Sequence, residues 1–122
     1  MLDRAPRQCG DFLARMHLKP RGVRFVACSY LPDRQGKPLR ATYHVPGPFA
    51  ARAELTFVQA IGMPSLRRSC CQWDAPPHWF RGADGQEYGI TMVSEETTAR
   101  SRAAWLGIPL FEIVVETFTE EI

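Results

Sequence analysis

The sequence of 122 residues lacks the long apolar runs of a membrane protein. A helix that spans a bilayer needs about 20 consecutive apolar residues, and no stretch of this chain approaches that length, so we expect no membrane partner. The opening MLDRAPRQCGDF also lacks the apolar segment of a secretory signal. These absences predict a cytoplasmic protein if the chain is complete, and a periplasmic one if a signal was removed.

Motifs of common enzymes are absent as well. The chain contains no G-x-S-x-G, no P-loop, no G-x-G-x-x-G and no H-E-x-x-H. Glu95 and Glu96 are adjacent, but they stand among hydroxyl residues in a loop, where solvation or capping of a following turn explains them better than acid–base chemistry. We therefore predict no enzymatic activity and no cofactor.

The chain also lacks a strong net charge. The net charge is +2 and the pI is about 8.5, and the basic residues do not alternate with aromatic ones as in RNA-binding motifs, so no nucleic-acid partner is expected. However, residues 1–82 contain 13 basic and 5 acidic residues, whereas residues 83–122 contain 2 basic and 8 acidic residues. The two parts, at +8 and −6, either neutralise each other by packing together or present surfaces of opposite potential, one of which steers a charged partner.

The periodicity of the apolar residues predicts an α+β fold. Apolar residues alternate with polar ones over residues 39–45 and again in the last strand, which is typical of half-buried strands, and a Gly–Pro pattern ends the main helix. We expect one domain over residues 1–122, with residues 1–7 as a loosely ordered lead-in. Two helices should pack on one face of a largely antiparallel sheet in the order α-β-β-α-β-β-β-β. The predicted elements are a helical stripe of Cys9, Phe12, Leu13 and Met16, strands at 22–30 and 39–45, a helix at 49–61, strands at 66–73, 78–81 and 87–93, a helical turn near 101–106, and a strand at 110–119.

Aromatic residues near the middle of the chain have two interpretations. They could line a ligand groove, although such residues more often belong to the core and its rim. The residues concerned are Trp73, Trp79, Phe80 and Trp105.

The last strand provides the candidate contact surface. One face carries Phe111, Ile113 and Val115, and the other carries acidic residues among apolar ones. The acidic face is either a solvated sheet face or an anionic surface with hydrophobic anchors that binds a cationic partner. The candidate partner-binding residues are Glu112, Glu116, Phe118, Glu120, Glu121, Trp105, Glu95 and Glu96.

Four cysteines offer the remaining chemistry, and they lie at Cys9, Cys28, Cys70 and Cys71. No pair has the spacing of zinc ligands and no histidine stands at ligand spacing to them, so no metal site is predicted. In the cytoplasm the four should be reduced and mostly buried. In an oxidising compartment they should form disulfides.

Strand parity predicts how such disulfides would pair. Cys9 belongs to the apolar stripe of the first helix, whereas Cys28 alternates out of phase with Phe25 and should face away from the core. Neighbouring residues in a strand point to opposite faces, so Cys70 and Cys71 should be split between the two faces. We expect two bridges, each joining Cys9 or Cys28 to one residue of that pair, and none between Cys70 and Cys71.

Several segments taken together resemble a known family. They are CGDFLARMHLKPRGVRFVAC, GMPSLRRSCCQW, the SEET loop and RAAWLGIPLFEIVVET. They are similar to a family of small bacterial proteins classed as a domain of unknown function, and the resemblance covers roughly residues 8–120. It implies a single-domain protein whose relatives often look exported. As a small α+β domain of this size, the chain is also similar in outline to the immunity proteins of bacterial toxin systems.

Two functions are therefore expected. The first is an immunity-type inhibitor that neutralises a cationic toxin domain by tight binding. The alternative is an exported accessory or structural protein held together by disulfides.

Overall fold

The structure is a computed structural model that describes residues 8–121, and the expected lead-in of residues 1–7 lies outside them. Three helical elements and seven strands form the described part, which confirms the predicted α+β class. In chain order they are α1 (Phe12–Arg15), β1 (Arg24–Tyr30), β2 (Leu39–Val45), α2 (Gly47–Ile61), β3 (Arg67–Ser69), β4 (Gln72–Asp74), β5 (His78–Arg81), β6 (Glu87–Ser94), a 3₁₀ helix (Arg102–Gly107) and β7 (Phe111–Thr117).

All seven strands belong to one sheet, and every described pair is antiparallel. The order across the sheet is β1-β2-β7-β6-β4-β3, and β5 also pairs with β6. The last strand therefore lies in the middle of the sheet, between β2 from the basic part of the chain and β6 from the acidic part. No helix of residues 8–121 is long and apolar enough to cross a membrane.

The inner face of the sheet forms the core with the helices. On β2 and β7 the alternating apolar residues predicted from the sequence are buried. Helix α2 packs its own buried stripe against them and ends at Gly62, whose φ of +76° allows the left-handed cap that the sequence predicted. The stripe of α2 consists of Ala50, Ala53, Glu54 and Phe57.

Glu54 is a buried charged residue in the stripe of α2, with 6% of its surface exposed. Arg102, from the 3₁₀ helix, donates two hydrogen bonds to the Glu54 carboxylate, at 2.9 and 2.7 Å, and the Leu66 N–H donates a third at 2.8 Å. Arg102 also donates to the Leu66 carbonyl at 2.8 Å, and its pKa is raised by the hydrogen bonds to Glu54. One ion pair thus joins α2, the segment before β3 and the 3₁₀ helix.

The first helix is shorter than predicted, since only Phe12–Arg15 is helical. Asp11 caps it by accepting from the Ala14 N–H at 3.0 Å, and the Tyr43 hydroxyl donates to the same carboxylate at 2.9 Å. The Leu13 N–H in turn donates to the Tyr43 hydroxyl at 3.0 Å. A single turn is sufficient here because polar contacts attach the segment to β2.

The pKa of Asp11 reflects these contacts. Partial burial raises the pKa, but the hydrogen bonds from Lys19, the Ala14 N–H and Tyr43 outweigh burial and leave the pKa of Asp11 below its ordinary value. Burial raises the pKa of Tyr43, and the neighbouring Asp11 carboxylate raises it further.

The predicted third strand, residues 66–73, is a hairpin instead. Arg67, Arg68 and Ser69 pair with Asp74, Trp73 and Gln72, and Cys70 and Cys71 form the two-residue turn between them. Cys70 has a φ of +55°, the left-handed conformation that tight hairpin turns require.

The predicted disulfide pairing is wrong for Cys9 and Cys28, because the structure joins these two residues to each other. The parity argument failed at Cys28 because of a bulge in β1. Phe25 lies opposite Tyr43 and Ala27 lies opposite Thr42, so one extra residue, Val26, reverses the alternation. Cys28 therefore faces the core beside Ala41, and its Cα lies 5.5 Å from that of Cys9.

The parity argument also failed at the vicinal pair, because a turn does not alternate as a strand does. The Cys9–Cys28 bridge closes a loop across 19 positions and should stabilise the fold by about 3 kcal/mol through loop-closure entropy.

We predict that Arg102→Ala lowers the free energy of unfolding by about 2–3 kcal/mol, because Glu54 would stay buried with one hydrogen bond in place of an ion pair. Arg34→Ala is the matched control. It removes an arginine that pairs with Glu116 at the surface, and should cost less than about 1 kcal/mol. Urea denaturation measures both. Equal losses would show that Glu54 and Arg102 do not hold the helices together.

The lowered pKa of Asp11 predicts a pH dependence of stability. The charged carboxylate stabilises the folded state above the unfolded pKa of 3.8, and this contribution is lost as the pH falls through the lower folded pKa. Asp11→Asn removes the charge and keeps the cap. The difference in unfolding free energy between the wild type and Asp11→Asn, measured in urea, should be largest at neutral pH and should shrink in acid. A difference independent of pH would contradict this account.

Candidate partner-binding surface

The candidate surface is the outer face of the sheet, opposite the helices. Residues of three adjacent strands form a regular grid on it, because the alternation that buries one set of side chains directs the other set outward. Arg40, Thr42 and His44 of β2 lie opposite Glu116, Val114 and Glu112 of β7, which lie opposite Gly89, Thr91 and Val93 of β6. We call this grid, together with Trp79 and Phe118, the outer face.

Two aromatic residues cover one end of the outer face. Trp79, on β5, lies opposite Gly89, and its indole packs over that glycine so closely that a Cβ there would come within 2.9 Å of the ring. The ring of Phe118, which follows β7, stacks on Trp79 with the centroids 5.2 Å apart and the planes 18° from parallel. Trp79 nevertheless remains 44% exposed. The absence of a side chain at Gly89 therefore allows a large aromatic surface to lie flat and face solvent.

Charged side chains of both signs border the aromatic pair. Arg34 donates two hydrogen bonds to the Glu116 carboxylate, at 2.9 and 3.3 Å, and Arg40 Nε lies 3.8 Å from the same group. The hydrogen bonds to Glu116 raise the pKa of Arg34. An open cavity of about 400 Å³ lies between these groups and Trp79, with Thr91 and Val114 in its lining.

The outer face brings together only some of the residues expected to bind a partner. Glu112, Glu116 and Phe118 belong to it. Glu95 and Glu96 are exposed just beyond the end of β6, where the Glu95 N–H donates to the Leu110 carbonyl at 3.1 Å. Beyond the other end of β7, Glu120 is exposed and pairs with Lys37 at 3.2 Å, and Glu121 is also exposed.

Trp105 does not belong to any exposed surface. It is 1% exposed and packs against Trp73 and Phe111, with centroids 5.3 and 4.9 Å apart, while the Arg102 guanidinium lies 5.2 Å from its ring. The expectation that Trp105 anchors a partner is therefore corrected: its side chain belongs to the core.

Sequence reasoning did not assign Trp79, Gly89, Arg34 or Arg40 to the contact surface. Of the four aromatic residues considered for a groove, Trp73 and Trp105 are buried, Phe80 is half-buried and Trp79 is exposed. A signal was present in the short strand HWFR, whose outward position holds Trp79 while the facing strand has a glycine. The cross-strand pairing was needed to interpret it.

Within residues 8–121, no group of three or more histidine, cysteine or acidic side chains is placed to hold a metal ion. The chemistry that the outer face offers is that of molecular recognition, through an aromatic surface, aliphatic side chains and paired charges.

Comparisons with known proteins bear on the family. The family model of a domain of unknown function (DUF4952) matches residues 3–73, which include β1, β2, α2, β3 and most of β4. Neither the curated proteins nor the solved structures give a match. The family match covers 71 of the 122 residues, more than half of the chain. The resemblance was expected over roughly residues 8–120, and the match includes two of its four motifs, CGDFLARMHLKPRGVRFVAC and GMPSLRRSCCQW. The protein therefore belongs to the DUF4952 family.

Proposed function

We propose that the protein is a non-enzymatic, immunity-type inhibitor that neutralises a toxin domain by binding it through the outer face. The observation that carries this proposal is the exposed Trp79, held flat over Gly89 on the face of the sheet opposite the helices. Tryptophan and arginine dominate the binding energy of protein interfaces, and both stand on this face.

The aromatic pair is suited to an interface because it is already ordered. Stacking on Phe118 and packing on Gly89 restrict the indole before any partner arrives. Little side-chain entropy is then lost on binding, so more of the contact energy contributes to affinity. Thr91, beside the pair, supplies a small, half-buried side chain against which a partner can pack.

The charges of the outer face refine the kind of partner expected. Glu116 and Glu120 are already paired with cations of this chain, so the net charge of −6 over residues 83–122 overstates the anionic potential. Glu112, on the face, and Glu95 and Glu96, beyond one end of it, form no ion pair within the described residues. We therefore propose a cationic partner whose basic groups contact this end of the face while an apolar group covers Trp79.

A second candidate function is an exported accessory or structural protein. The Cys9–Cys28 bridge favours it, because such bridges persist in oxidising compartments. Cell fractionation distinguishes the two candidates. A chain that is exported with this bridge formed, and that has no toxic neighbour, supports the second.

The first proposal is tested with the product of the adjacent gene, expressed alone and together with this protein. The product should be toxic alone and harmless in a one-to-one complex. Trp79→Ala should weaken the complex by about 30-fold or more and restore toxicity, because an interface anchor is worth about 2 kcal/mol or more. Leu106→Ala is the matched control. It truncates an apolar residue that is 68% exposed on the 3₁₀ helix, away from the outer face, and should leave the affinity unchanged.

A second variant, which keeps Trp79 and Phe118, controls for the case in which Trp79→Ala weakens the complex by impairing folding. Thr91→Arg places a long side chain in the middle of the outer face, and should block the complex while thermal unfolding stays cooperative. Full neutralisation by both Trp79→Ala and Thr91→Arg would place the contact elsewhere. A neighbouring product that is harmless alone would contradict immunity itself.

A further inference from the structure

One row of residues crosses the outer face and joins its charges to its aromatic pair. Arg40 of β2 lies opposite Glu116 of β7, which in turn lies opposite Gly89 of β6. Gly89 lies opposite Trp79 of β5. The open cavity of about 400 Å³ lies along this row, with Arg34 also in its lining. An aromatic ring and guanidinium groups therefore border the same space.

The charges around this cavity do not cancel. Arg34 and Arg40 contribute two positive charges, whereas Glu116 contributes one negative charge. The Glu116 carboxylate already accepts two hydrogen bonds from Arg34, and its side chain is only 17% exposed. A further cation would have to compete with these arginines. The cavity therefore has an excess of positive charge and favours an anionic group.

Arg40 presents this excess charge in a form that a partner can reach. Its Nε lies 3.8 Å from the nearer Glu116 oxygen, which is longer than a hydrogen bond, and its side chain is 44% exposed. Within residues 8–121 its guanidinium donates no hydrogen bond. A free guanidinium binds a carboxylate through two parallel hydrogen bonds, so an acidic side chain is the group that fits Arg40.

The opposite end of the outer face has the opposite polarity. Glu112 lies four positions before Glu116 on β7, which is about 13 Å at the rise of a strand. Glu112 forms no ion pair within the described residues, and Arg24 lies two strands away from it, on the edge strand β1. A partner that lay across the face in the reverse direction would place its acid against Glu112 and its base against Arg40. The two ends therefore favour one direction of docking.

We propose that the cavity beside Trp79 binds a carboxylate side chain of the partner, an aspartate or a glutamate, through Arg40. This inference rests on the proposed function, because it specifies one contact of the same toxin domain. The partner is cationic overall, but it presents one acid to Arg40 and, about 13 Å away, a basic group to Glu112. The apolar group that covers Trp79 excludes water from the Arg40 ion pair and so strengthens it.

The affinity of the complex with the neighbouring gene product tests the role of Arg40. Arg40→Gln should weaken the complex at least about tenfold, because the acid of the partner would be desolvated without its counter-charge. Arg52→Gln is the matched control. It removes the same charge from the exposed side of α2, and should change the affinity by less than about twofold because solvent and salt screen a distant charge. Equal losses in the two variants would show that only the net charge matters and would contradict the proposal.

Replacing each acidic residue of the partner by its amide identifies the acid. One replacement should weaken the complex with the wild type and have no further effect on the complex with Arg40→Gln. Arg40→Glu should abolish the complex, and exchanging the identified acid for arginine should restore it, which a misfolded variant would not allow. The absence of coupling at every acid overturns the proposal.

The same measurements separate this inference from the proposed function. A complex that Trp79→Ala weakens and Arg40→Gln leaves intact would refute the carboxylate contact alone. Failure of the wild type to bind the neighbouring gene product would refute the proposed function, and the carboxylate contact with it.

Discussion

The insertion of β7 between β2 and β6 is the constraint on which the rest of the structure depends. This strand brings the acidic end of the chain into the middle of a sheet that begins in its basic part, so that Glu116 meets Arg40 across one strand pair and Glu112 meets His44. Part of the opposite charge of the two parts is thereby paired within the fold, since Glu116 pairs with Arg34 and Arg40, and Glu120 pairs with Lys37. The same insertion buries Phe111, Ile113 and Val115 under α2, because every second side chain of a central strand points to the helical layer.

The outer face is a consequence of that insertion. The residues of β7 that do not face the core must point outward, and β2 and β6 extend the surface on either side. Phe118 follows directly after β7 and stacks on Trp79. Trp79 can pack against the sheet because Gly89 of β6 has no side chain. The candidate contact surface is therefore assembled from β2, β7 and the β5–β6 hairpin, which are distant from one another in sequence, and this is why no local motif identifies it.

Elements with a regular pattern were predictable from the sequence, and elements that depend on an irregularity were not. The alternation of β2 and β7, the Gly62 cap of α2 and the 3₁₀ turn near Trp105 all follow from local signals. The extra residue Val26 left no such signal, and it reversed the face of Cys28. RRSCCQWD was equally compatible with a strand and with a hairpin, since its turn uses cysteine where glycine is usual. Glu54 was not recognised as buried because its partner, Arg102, lies 48 residues away.

The central claim is that the outer face contacts the partner, and the indole resonances test it most directly. The chain has three tryptophans, of which Trp73 and Trp105 are buried and Trp79 is exposed on the outer face. In an amide correlation spectrum, addition of an inactive form of the neighbouring gene product should shift the Trp79 indole N–H together with the backbone amides of Gly89, Thr91 and Val114, and leave the other two indoles in place. Shifts confined to the exposed side of α2 or to the Cys70–Cys71 turn, with the Trp79 indole unmoved, would contradict the account.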